Sequence, residues 1–460
     1  MSRFDPFESK MRAEKLHQTV IDTFRRSYER LAEGETGLLG RSQIEPIRDL
    51  PSADELHSYP PAGVAALEKT AVLKLNGGLG TSMGMTRAKS LLPAKNGMTF
   101  LEISARQVLR LRETHGVKVP LILMNSFRTR RDSLAVLDGF PDLSAGFPAD
   151  FLQNKVPKVR ADDLTPVEWQ RAPEHEWCPP GHGDLYPALQ SSGLLAELLQ
   201  RGIEYMFVSN SDNLGAMLDL SILGWFAQER IPFLMEATDR TESDRKGGHL
   251  ARRIQDGRLV LREVAQCPDD EMDLFQDITL FRYFNTNTLW LNLPALNSAL
   301  ASNDGVLDLA LIRNVKTVDP ADSSSPKVIQ LETAMGAAIS TFGGARALRV
   351  PRERFIPVKT TADLLALWSD LYGLDEDFRL TIAPERRPGD LPIELDPRFY
   401  ARIDQLETRF PRGAPSLRKC TRLSVRGDVV FGEGVECQGE VRLVHEGKEP
   451  LHIPDGQVLS

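Results

Sequence analysis

Short runs of consecutive apolar residues alternate along the chain with longer segments of helical periodicity. The apolar runs lie in TAVLKLN, VPLILMNS and GIEYMFVSNSDN, and helical patterns such as FLEISARQVLRLRETHG and LDLSILGWFAQE separate or follow them. Apolar residues at successive positions are typical of strands covered on both faces, as parallel strands usually are. From about Thr70 onward the alternation therefore predicts an α/β fold with βαβ crossovers.

Small polar residues stand at the end of each apolar run. They are Asn76, Asn125, Ser126, Ser209, Asn210, Ser211 and Asp212. Ligands of open α/β sheets collect at the carboxyl ends of the strands. The sequence therefore predicts a ligand site where these residues meet.

The first apolar run leads into a glycine-rich loop, LNGGLGTSMG. Gly77, Gly78, Gly80 and Gly84 leave several backbone N–H groups without side chains above them, which suits a polyphosphate. The spacing matches neither GxGxxG nor GxxxxGK[ST], so a Rossmann dinucleotide site is less favoured than another phosphate loop. A tight turn without a ligand stays open as an alternative. Lys89, five residues on, could neutralise phosphate charge or be a solvated surface lysine.

Three further segments carry candidate polar groups. In WCPPGHGDLYPAL, His182 stands between two glycines, where it could donate to a ligand or be a satisfied structural histidine. Asp212 follows a buried strand, where it could hold magnesium or cap a helix. Asn285 and Asn287 could bond sugar hydroxyls, and Lys359 could supply a second phosphate-binding charge.

The two ends of the chain carry different patterns. Apolar residues between Met11 and Leu31 recur at three- and four-residue steps, which predicts an amphipathic helix. Near the C-terminus apolar residues recur every six positions, which favours a parallel β-helix over antiparallel hairpins. The repeat comprises Leu423, Val429, Val435 and Val441, each followed two residues later by Val425, Phe431, Cys437 and Leu443. We predict a helical segment over 1–50, a catalytic domain over 51–375 and a C-terminal domain over 376–460, with the β-helix at about 421–460.

Composition excludes several classes of protein. The net charge is −8, with 64 acidic and 56 basic residues, which gives no global field for nucleic acid. No apolar run reaches the roughly 18 residues of a membrane span, and the N-terminus lacks the apolar core of a signal peptide, so we expect a cytoplasmic protein without a membrane partner. The four cysteines are scattered, which indicates buried free thiols rather than disulfides or a zinc site.

The chain closely resembles the UTP–glucose-1-phosphate uridylyltransferases, also called UDP-glucose pyrophosphorylases, of the eukaryotic type. The resemblance runs from about Thr70 to the C-terminus through LKLNGGLGTSMG, LILMNSF, PPGHGDLY, FVSNSDNLGA, KGGHL, FNTNTLW, VIQLETAMGAAI and FIPVKTTADLL. It implies a glycosyltransferase-A-like, Rossmann-related catalytic domain with a mixed sheet and a C-terminal left-handed parallel β-helix. It also implies the reaction of UTP with glucose 1-phosphate to give UDP-glucose and pyrophosphate, with magnesium as cofactor.

The resemblance also implies roles for individual residues. Nucleotide contacts are implied for Leu75, Asn76, Gly77, Gly78, Lys89, Met124, Gln153, Gly181 and Lys359. Contacts with the sugar phosphate are implied for Gly77, Gly78, His182, Asn210, Ser211, Asp212, Glu263, Asn285 and Asn287. Asp212 is the implied magnesium ligand, and Lys359 and Lys89 are the implied catalytic residues. The chain stops at PDGQVLS, before a further segment that eukaryotic members use in association, so we expect a monomer or a low-order oligomer formed through the C-terminal domain.

Three alternatives compete with this hypothesis. UDP-N-acetylhexosamine pyrophosphorylases usually carry Asn where this chain has His182, and GGxGTRLG where it has GGLGTSMG. A non-catalytic nucleotide-sugar sensor need not keep Lys89, Asp212 and Lys359, which act on the transition state. An NAD(P) dehydrogenase needs the GxGxxG turn that this chain lacks. All three are less favoured than uridylyl transfer to glucose 1-phosphate.

Overall fold

The computed structural model describes residues 2–384, 386 and 391–460. The α-helices of this part of the chain are α1 (Asp5–Ala13), α2 (Gln18–Ala32), α3 (Pro60–Leu67), α4 (Phe100–His115), α5 (Arg130–Leu137), α6 (Leu185–Ser191), α7 (Leu194–Gln200), α8 (Leu220–Gln228), α9 (Met272–Gln276), α10 (Leu293–Ala301), α11 (Thr361–Trp368), α12 (Pro397–Tyr400) and α13 (Ile403–Arg409).

The β-strands of the same residues are β1 (Ile44–Pro46), β2 (Thr70–Asn76), β3 (Pro93–Lys95), β4 (Met98–Thr99), β5 (Leu121–Asn125), β6 (Asp150–Leu152), β7 (Val156–Pro157), β8 (Val159–Arg160), β9 (Trp177–Cys178), β10 (Tyr205–Asn210), β11 (Phe233–Asp239), β12 (His249–Arg253), β13 (Leu259–Arg262), β14 (Tyr283–Asn292), β15 (Leu311–Thr317), β16 (Lys327–Thr333), β17 (Arg346–Arg349), β18 (Tyr372–Leu374), β19 (Leu380–Ile382), β20 (Ile393–Leu395), β21 (Ser416–Arg426), β22 (Val429–Phe431), β23 (Glu436–Val444), β24 (Leu451–Ile453) and β25 (Val458–Leu459).

The chain divides into two compact units, each built from separate stretches of sequence. Unit 1 contains Met1–Leu73, Asp150–Val208 and Asp219–Val350, and unit 2 contains Lys74–Ala149, Ser209–Leu218 and Pro351–Ser460. The boundaries predicted from the sequence at residues 50 and 375 are a different kind of division and stay a prediction.

Unit 1 contains most of a large mixed sheet. Its strand order is β1–β12–β14–β10–β2, with β11 between β14 and β17 and with β13 beside β12. The long strand β14 pairs antiparallel with both β10 and β11, whereas β11 and β17 are parallel. The apolar runs are typical of parallel strands, and for β10 this interpretation is wrong at its pairing with β14, whereas the mixed sheet that the resemblance implies is confirmed. Burial on both faces makes a strand apolar at successive positions whichever way its neighbours run.

The N-terminal apolar stripe forms two helices rather than one. Helix α1 ends at Ala13 and α2 begins at Gln18, and Lys15 between them has a φ of 57°, which lies outside the right-handed α-helical range. The stripe is nevertheless buried as its periodicity predicts. Phe7, Met11, Val20, Phe24, Tyr28 and Leu31 form a core with Val159, Ile329 and Leu331 of β8 and β16.

Unit 2 contains strands β3 and β5, the long helix α4 and the C-terminal region. Thr99 and Glu102 form a capping box at the start of α4, and Gly116 ends it with a φ of 68°. Side chains of α4, α11 and the C-terminal strands share one buried core, which includes Phe100, Leu364 and Leu423. Within the described residues, no helix of the chain combines the length and apolar character that crossing a membrane requires.

The six-residue repeat corresponds to parallel strands. Strand β21 pairs in parallel with β20 and β23, β23 with β25, and β22 with β24. Leu423 lies opposite Val441, three repeats of six residues further on. The antiparallel hairpins considered as an alternative are therefore wrong for these strands. All four cysteines are buried and free, as predicted.

Candidate active site

A buried amide network ends strand β2 in unit 2. Asn76 is 1% exposed, and its Nδ2 donates to Asn125 Oδ1 at 2.7 Å and to Ser133 Oγ at 2.8 Å. Ser211 Oγ donates to Asn76 Oδ1 at 3.1 Å, and Ser211 N donates to the carbonyl oxygen of Leu75. The polar residues predicted at the ends of three strands thus meet at one place. Met124, which precedes Asn125 on β5, is buried.

The glycines of the loop after β2 have different structural reasons for being glycine. Gly80 and Gly84 have φ values of 59° and 76°, so their backbone conformation itself favours glycine. Gly78 has no such φ, and a Cβ built on it would meet nothing within 4 Å in the described structure. Its carbonyl oxygen accepts a hydrogen bond from Lys89 N at 3.0 Å. Neither local conformation nor internal packing therefore explains the glycine at position 78.

Lys89 and Asp212 form an ion pair close to this loop. Lys89 Nζ lies 2.5 Å from Asp212 Oδ2, and the two side chains are only 15% and 18% exposed. Lys89 is therefore not a solvated surface lysine. The helix-capping alternative for Asp212 is also wrong, because Asp219 is the residue that caps α8.

Lys359 lies in the same unit as Lys89 and Asp212. Its side chain is exposed, and its Nζ stands 5.7 Å from the centroid of the Phe355 ring. The segment before Lys359 is joined to the Asp212 loop through Asn213, which forms an isolated antiparallel bridge with Pro357. Asn210 is partly exposed at the end of β10, and its carbonyl oxygen accepts from Asn213 N.

His182 is held in one tautomer in unit 1. Its Nδ1 accepts a hydrogen bond from Met335 N at 2.9 Å, so a neutral ring carries its proton on Nε2. Burial lowers the pKa of His182 to about 4, which keeps the ring neutral at physiological pH. His182 can therefore present an Nε2–H donor to a ligand.

The loop around His182 is tightly packed against β16. Gly181 has a φ of 80°, and a Cβ on it would lie 2.5 Å from the Thr333 carbonyl oxygen. A Cβ on Gly183 would lie 2.2 Å from Thr333 Oγ1. Gln153 Nε2 donates to the carbonyl oxygen of Gly181 at 3.4 Å. The structure therefore places Gln153, Gly181 and His182 close together in unit 1.

Asp184 is a buried carboxyl that the sequence did not single out. It accepts hydrogen bonds from Asn154 N at 2.6 Å and Asn154 Nδ2 at 3.0 Å. Burial raises the pKa of Asp184 to about 7 despite these two bonds. Asp184 thereby connects the loop that contains His182 to Asn154, the residue after Gln153. The motif PPGHGD contained this residue, but its partner could not be read from one sequence.

Glu263 and the two asparagines are joined through Gly248. A Cβ on Gly248 would lie 2.6 Å from Glu263 Oε2, and the Gly248 carbonyl oxygen accepts from Asn285 N at 3.0 Å. Asn287 has a φ of 55° at a bulge in β14, and its Oδ1 accepts from Asn285 Nδ2 at 2.9 Å. Burial raises the pKa of Glu263 to about 7.

Known proteins match this chain over nearly its whole length. A family model described as UTP–glucose-1-phosphate uridylyltransferase matches residues 21–438. The chain belongs to this family. Among UTP–glucose-1-phosphate uridylyltransferases, that of Musa acuminata is 40% identical over 437 residues, covering 94% of this chain and 91% of the relative. The enzyme of Saccharomyces cerevisiae is 40% identical over 407 residues, which cover 88% of this chain and 80% of the relative.

Solved structures that are similar to this chain include UDP-glucose enzymes. A mutant UDP-glucose pyrophosphorylase from Leishmania major in complex with UDP-glucose has a TM-score of 0.93 and 44% identity, covering 100% of this chain and 98% of that one. A UDP-glucose phosphorylase from Trypanosoma brucei has a TM-score of 0.88 and 45% identity, and the match covers 99% of this chain and 97% of that one. These matches confirm the mixed α/β architecture and the family that the sequence motifs indicated.

Proposed function

We propose that the chain transfers the uridylyl group of UTP to glucose 1-phosphate, giving UDP-glucose and pyrophosphate. The proposal rests on membership of the uridylyltransferase family and on one observation in unit 2. Gly78 leaves open space above its backbone, next to Lys89 and the carboxylate of Asp212. A loop open at a glycine, beside a cation, suits a polyphosphate chain.

The reaction follows from charge and position. A phosphate oxygen of glucose 1-phosphate attacks the α-phosphorus of UTP in line, forming the new P–O bond while the bond to the departing pyrophosphate breaks. No enzyme nucleophile is required, so catalysis consists of positioning and charge neutralisation. Lys89 and Lys359 supply positive charge against two anionic reactants that repel each other. We assign Leu75, Asn76 and Gly77 to the nucleotide as well.

Asp212 fits a magnesium ion. Its Oδ2 is engaged by Lys89, and no described residue donates to its Oδ1. One carboxylate combined with substrate phosphates and water is the usual coordination of magnesium in such sites. The ion would neutralise charge on the phosphates, and Asp212 would hold it in place. Asn210 and Ser211, which precede Asp212, are assigned to the sugar phosphate.

Residues of unit 1 are proposed to recognise the base and the sugar. Gln153 and Gly181 would bind uracil through amide and backbone groups, and we keep the assignment of Met124 to the nucleotide. His182 offers an Nε2–H donor to the sugar phosphate, consistent with its Nδ1 bond to Met335 N. Side chains that would accept from or donate to sugar hydroxyls are Glu263, Asn285 and Asn287.

The alternatives are less well supported. The relatives named above are uridylyltransferases or UDP-glucose enzymes, not N-acetylhexosamine enzymes. A sensor without turnover would not require the Lys89–Asp212 pair beside an open glycine. We therefore keep glucose 1-phosphate as the substrate and catalysis as the function.

The C-terminal strands are proposed to form a left-handed parallel β-helix. Partners in register are 18 residues apart at Leu423 and Val441, and 22 apart at Val429 and Leu451. The first spacing is three six-residue repeats, and the second is four residues longer across the stretch that contains HEGKEP. A monomer or low-order oligomer formed through this region, and a cytoplasmic location, also remain our predictions.

Pyrophosphate release tests the function. We would assay UTP with glucose 1-phosphate and magnesium, beside galactose 1-phosphate, N-acetylglucosamine 1-phosphate and thymidine triphosphate as a nucleotide control. Fast release that needs UTP and prefers glucose 1-phosphate supports the proposal. A preference for N-acetylglucosamine 1-phosphate would assign the chain to the hexosamine enzymes. UDP-glucose binding without release from any sugar would make it a sensor.

A further inference from the structure

Asn213 connects the Asp212 loop to the segment that leads to Lys359. It directly follows Asp212 and is 2% exposed. Its Oδ1 accepts from Ile356 N, and its Nδ2 donates to the Arg354 carbonyl oxygen, both at 3.0 Å. Both polar ends of one buried amide are thus used by a segment that ends three residues before Lys359. A buried amide that meets all its partners fixes the backbone it bonds.

Lys95 makes a second connection, at the far end of helix α11. It ends β3, the strand that follows the turn containing Lys89. Its Nζ donates to the carbonyl oxygens of Leu367 at 3.1 Å, Trp368 at 3.4 Å and Ser369 at 2.5 Å. These are carbonyls of the last turn, which have no partner within the helix, and a cation there also complements the helix dipole.

Strand β3 and helix α11 are joined a second time nearby. Trp368 Nε1 donates to the Pro93 carbonyl oxygen at 2.9 Å, two residues before Lys95 on the strand. Helix α11 has eight residues and is therefore only about 12 Å long. It begins two residues after Lys359, with Thr360 as its cap. The strand after Lys89 and the helix after Lys359 thus form one packed assembly.

We infer that Asn213 and Lys95 are positioning residues for uridylyl transfer. Asn213 ties the Lys359 segment to the Asp212 loop, and Lys95 ties the helix behind Lys359 to the strand behind Lys89. Together they fix the distances among the three charged groups proposed to act on the phosphates. This inference rests on the function proposed above. A mutation far from the chemistry that misplaces a reacting group by about 1 Å can lower the rate roughly 100-fold, so such residues matter without touching the substrate.

The test compares four variants with matched controls. Asn213→Leu removes both amide bonds at similar volume, and Asn213→Asp keeps the acceptor for Ile356 N. Lys95→Met removes the three carbonyl bonds, and Lys95→Arg keeps a donor cation. Lys158→Met in unit 1 is the control, because Lys158 is 4% exposed and donates to the Val318 carbonyl oxygen at 3.0 Å. It removes a comparable buried bond without contacting the Lys359 segment.

We would measure kcat, the KM of each substrate, melting temperature and hydrogen exchange over residues 352–362. Asn213→Leu and Lys95→Met should each lower kcat by about 10- to 100-fold, with KM for UTP changed less than threefold and with faster exchange in that segment. Lys95→Arg should recover much of kcat, and Asn213→Asp should recover less, because its second carboxylate oxygen faces the Arg354 carbonyl oxygen. Lys158→Met should lose a similar amount of stability and keep kcat.

The outcomes separate the two proposals. A wild-type protein that releases no pyrophosphate overturns the proposed function. An active wild type whose Asn213→Leu and Lys95→Met variants keep kcat overturns the positioning inference alone, as does unchanged exchange over residues 352–362. An equal loss of kcat in Lys158→Met would show that lost stability, and not lost position, lowers the rate.

Discussion

Lys89 Nζ lies 2.5 Å from Asp212 Oδ2, although 123 positions of sequence separate the two residues. The pair places a cation and a carboxylate side by side, close to the open backbone of Gly78. Preorganised charge of this kind accounts for much of the rate enhancement in phosphoryl and nucleotidyl transfer. The same pairing keeps each partly buried charge from being left unpaired.

Lys359→Ala should abolish most turnover and leave the fold intact. The side chain is exposed, so its removal should change the free energy of unfolding by less than about 0.5 kcal/mol. Loss of a charge that stabilises the transition state should lower kcat by about 100- to 1,000-fold. Steady-state kinetics and urea unfolding measure both quantities.

Lys118→Ala is the control, since the side chain of Lys118 is 77% exposed and lies in the same unit. Unchanged turnover in Lys359→Ala would remove this lysine from the catalytic set.

The strand ends at the candidate site and the C-terminal strands could be predicted because they depend on local sequence. Polar residues after apolar runs marked the strand ends, and the six-residue repeat marked the parallel C-terminal strands. Contacts between distant segments could not be predicted in this way. Nothing in the sequence shows that Asn213 bonds Ile356, or that Asp184 bonds Asn154, because these pairs form only when the chain has folded.

Strand direction and helix breaks were harder to predict for a different reason. An apolar run reports burial on two faces and not the direction of the neighbouring strand, so it could not show which pairs of the mixed sheet, such as those of β14, are antiparallel. The apolar spacing did not show the break at Lys15, because Met11 of α1 and Val20 of α2 are buried in the same core on either side of it.

Gly78→Ala should impair nucleotide binding and not stability. A Cβ at this position meets nothing within 4 Å, so the melting temperature should stay within about 2 °C of the wild type. A polyphosphate lying against the backbone would meet the new methyl group, and KM for UTP should rise by at least about tenfold.

Gly84→Ala is the matched control. Gly84 has a φ of 76°, and a Cβ on it would lie 3.0 Å from Arg402 Cζ. This variant should therefore lose roughly 1 kcal/mol of stability. A normal KM for UTP in Gly78→Ala would count against the phosphate loop.

His182 should make the protein less stable in acid. Its pKa is lowered to about 4 from an unfolded value near 6.5, so the unfolded chain takes up this proton first as pH falls. The stability that the neutral ring contributes is present above pH 6.5 and is lost between about pH 6.5 and 4. His182→Gln should therefore show a smaller loss of unfolding free energy over this range than the wild type. Parallel curves for the two proteins from urea titrations at pH 7.5, 6, 5 and 4.5 would contradict the assignment.

Glu263 should have the opposite effect on stability. Its pKa is raised to about 7 from 4.5, so the folded protein favours the protonated carboxyl and loses stability as pH rises from about 4.5 through 7. At pH 8 Glu263→Gln should therefore be more stable than the wild type by about 2 kcal/mol, since one pKa unit is worth about 1.4 kcal/mol and the remaining solvent contact weakens the effect. At pH 4 the two proteins should be equally stable.

The same Glu263→Gln variant should bind the sugar phosphate less well, because a neutral amide accepts more weakly from a sugar hydroxyl. Its KM for glucose 1-phosphate should rise several-fold, and its KM for UTP should not change. A variant that is more stable yet binds glucose 1-phosphate normally would show that Glu263 is a buried carboxyl without a role at the sugar.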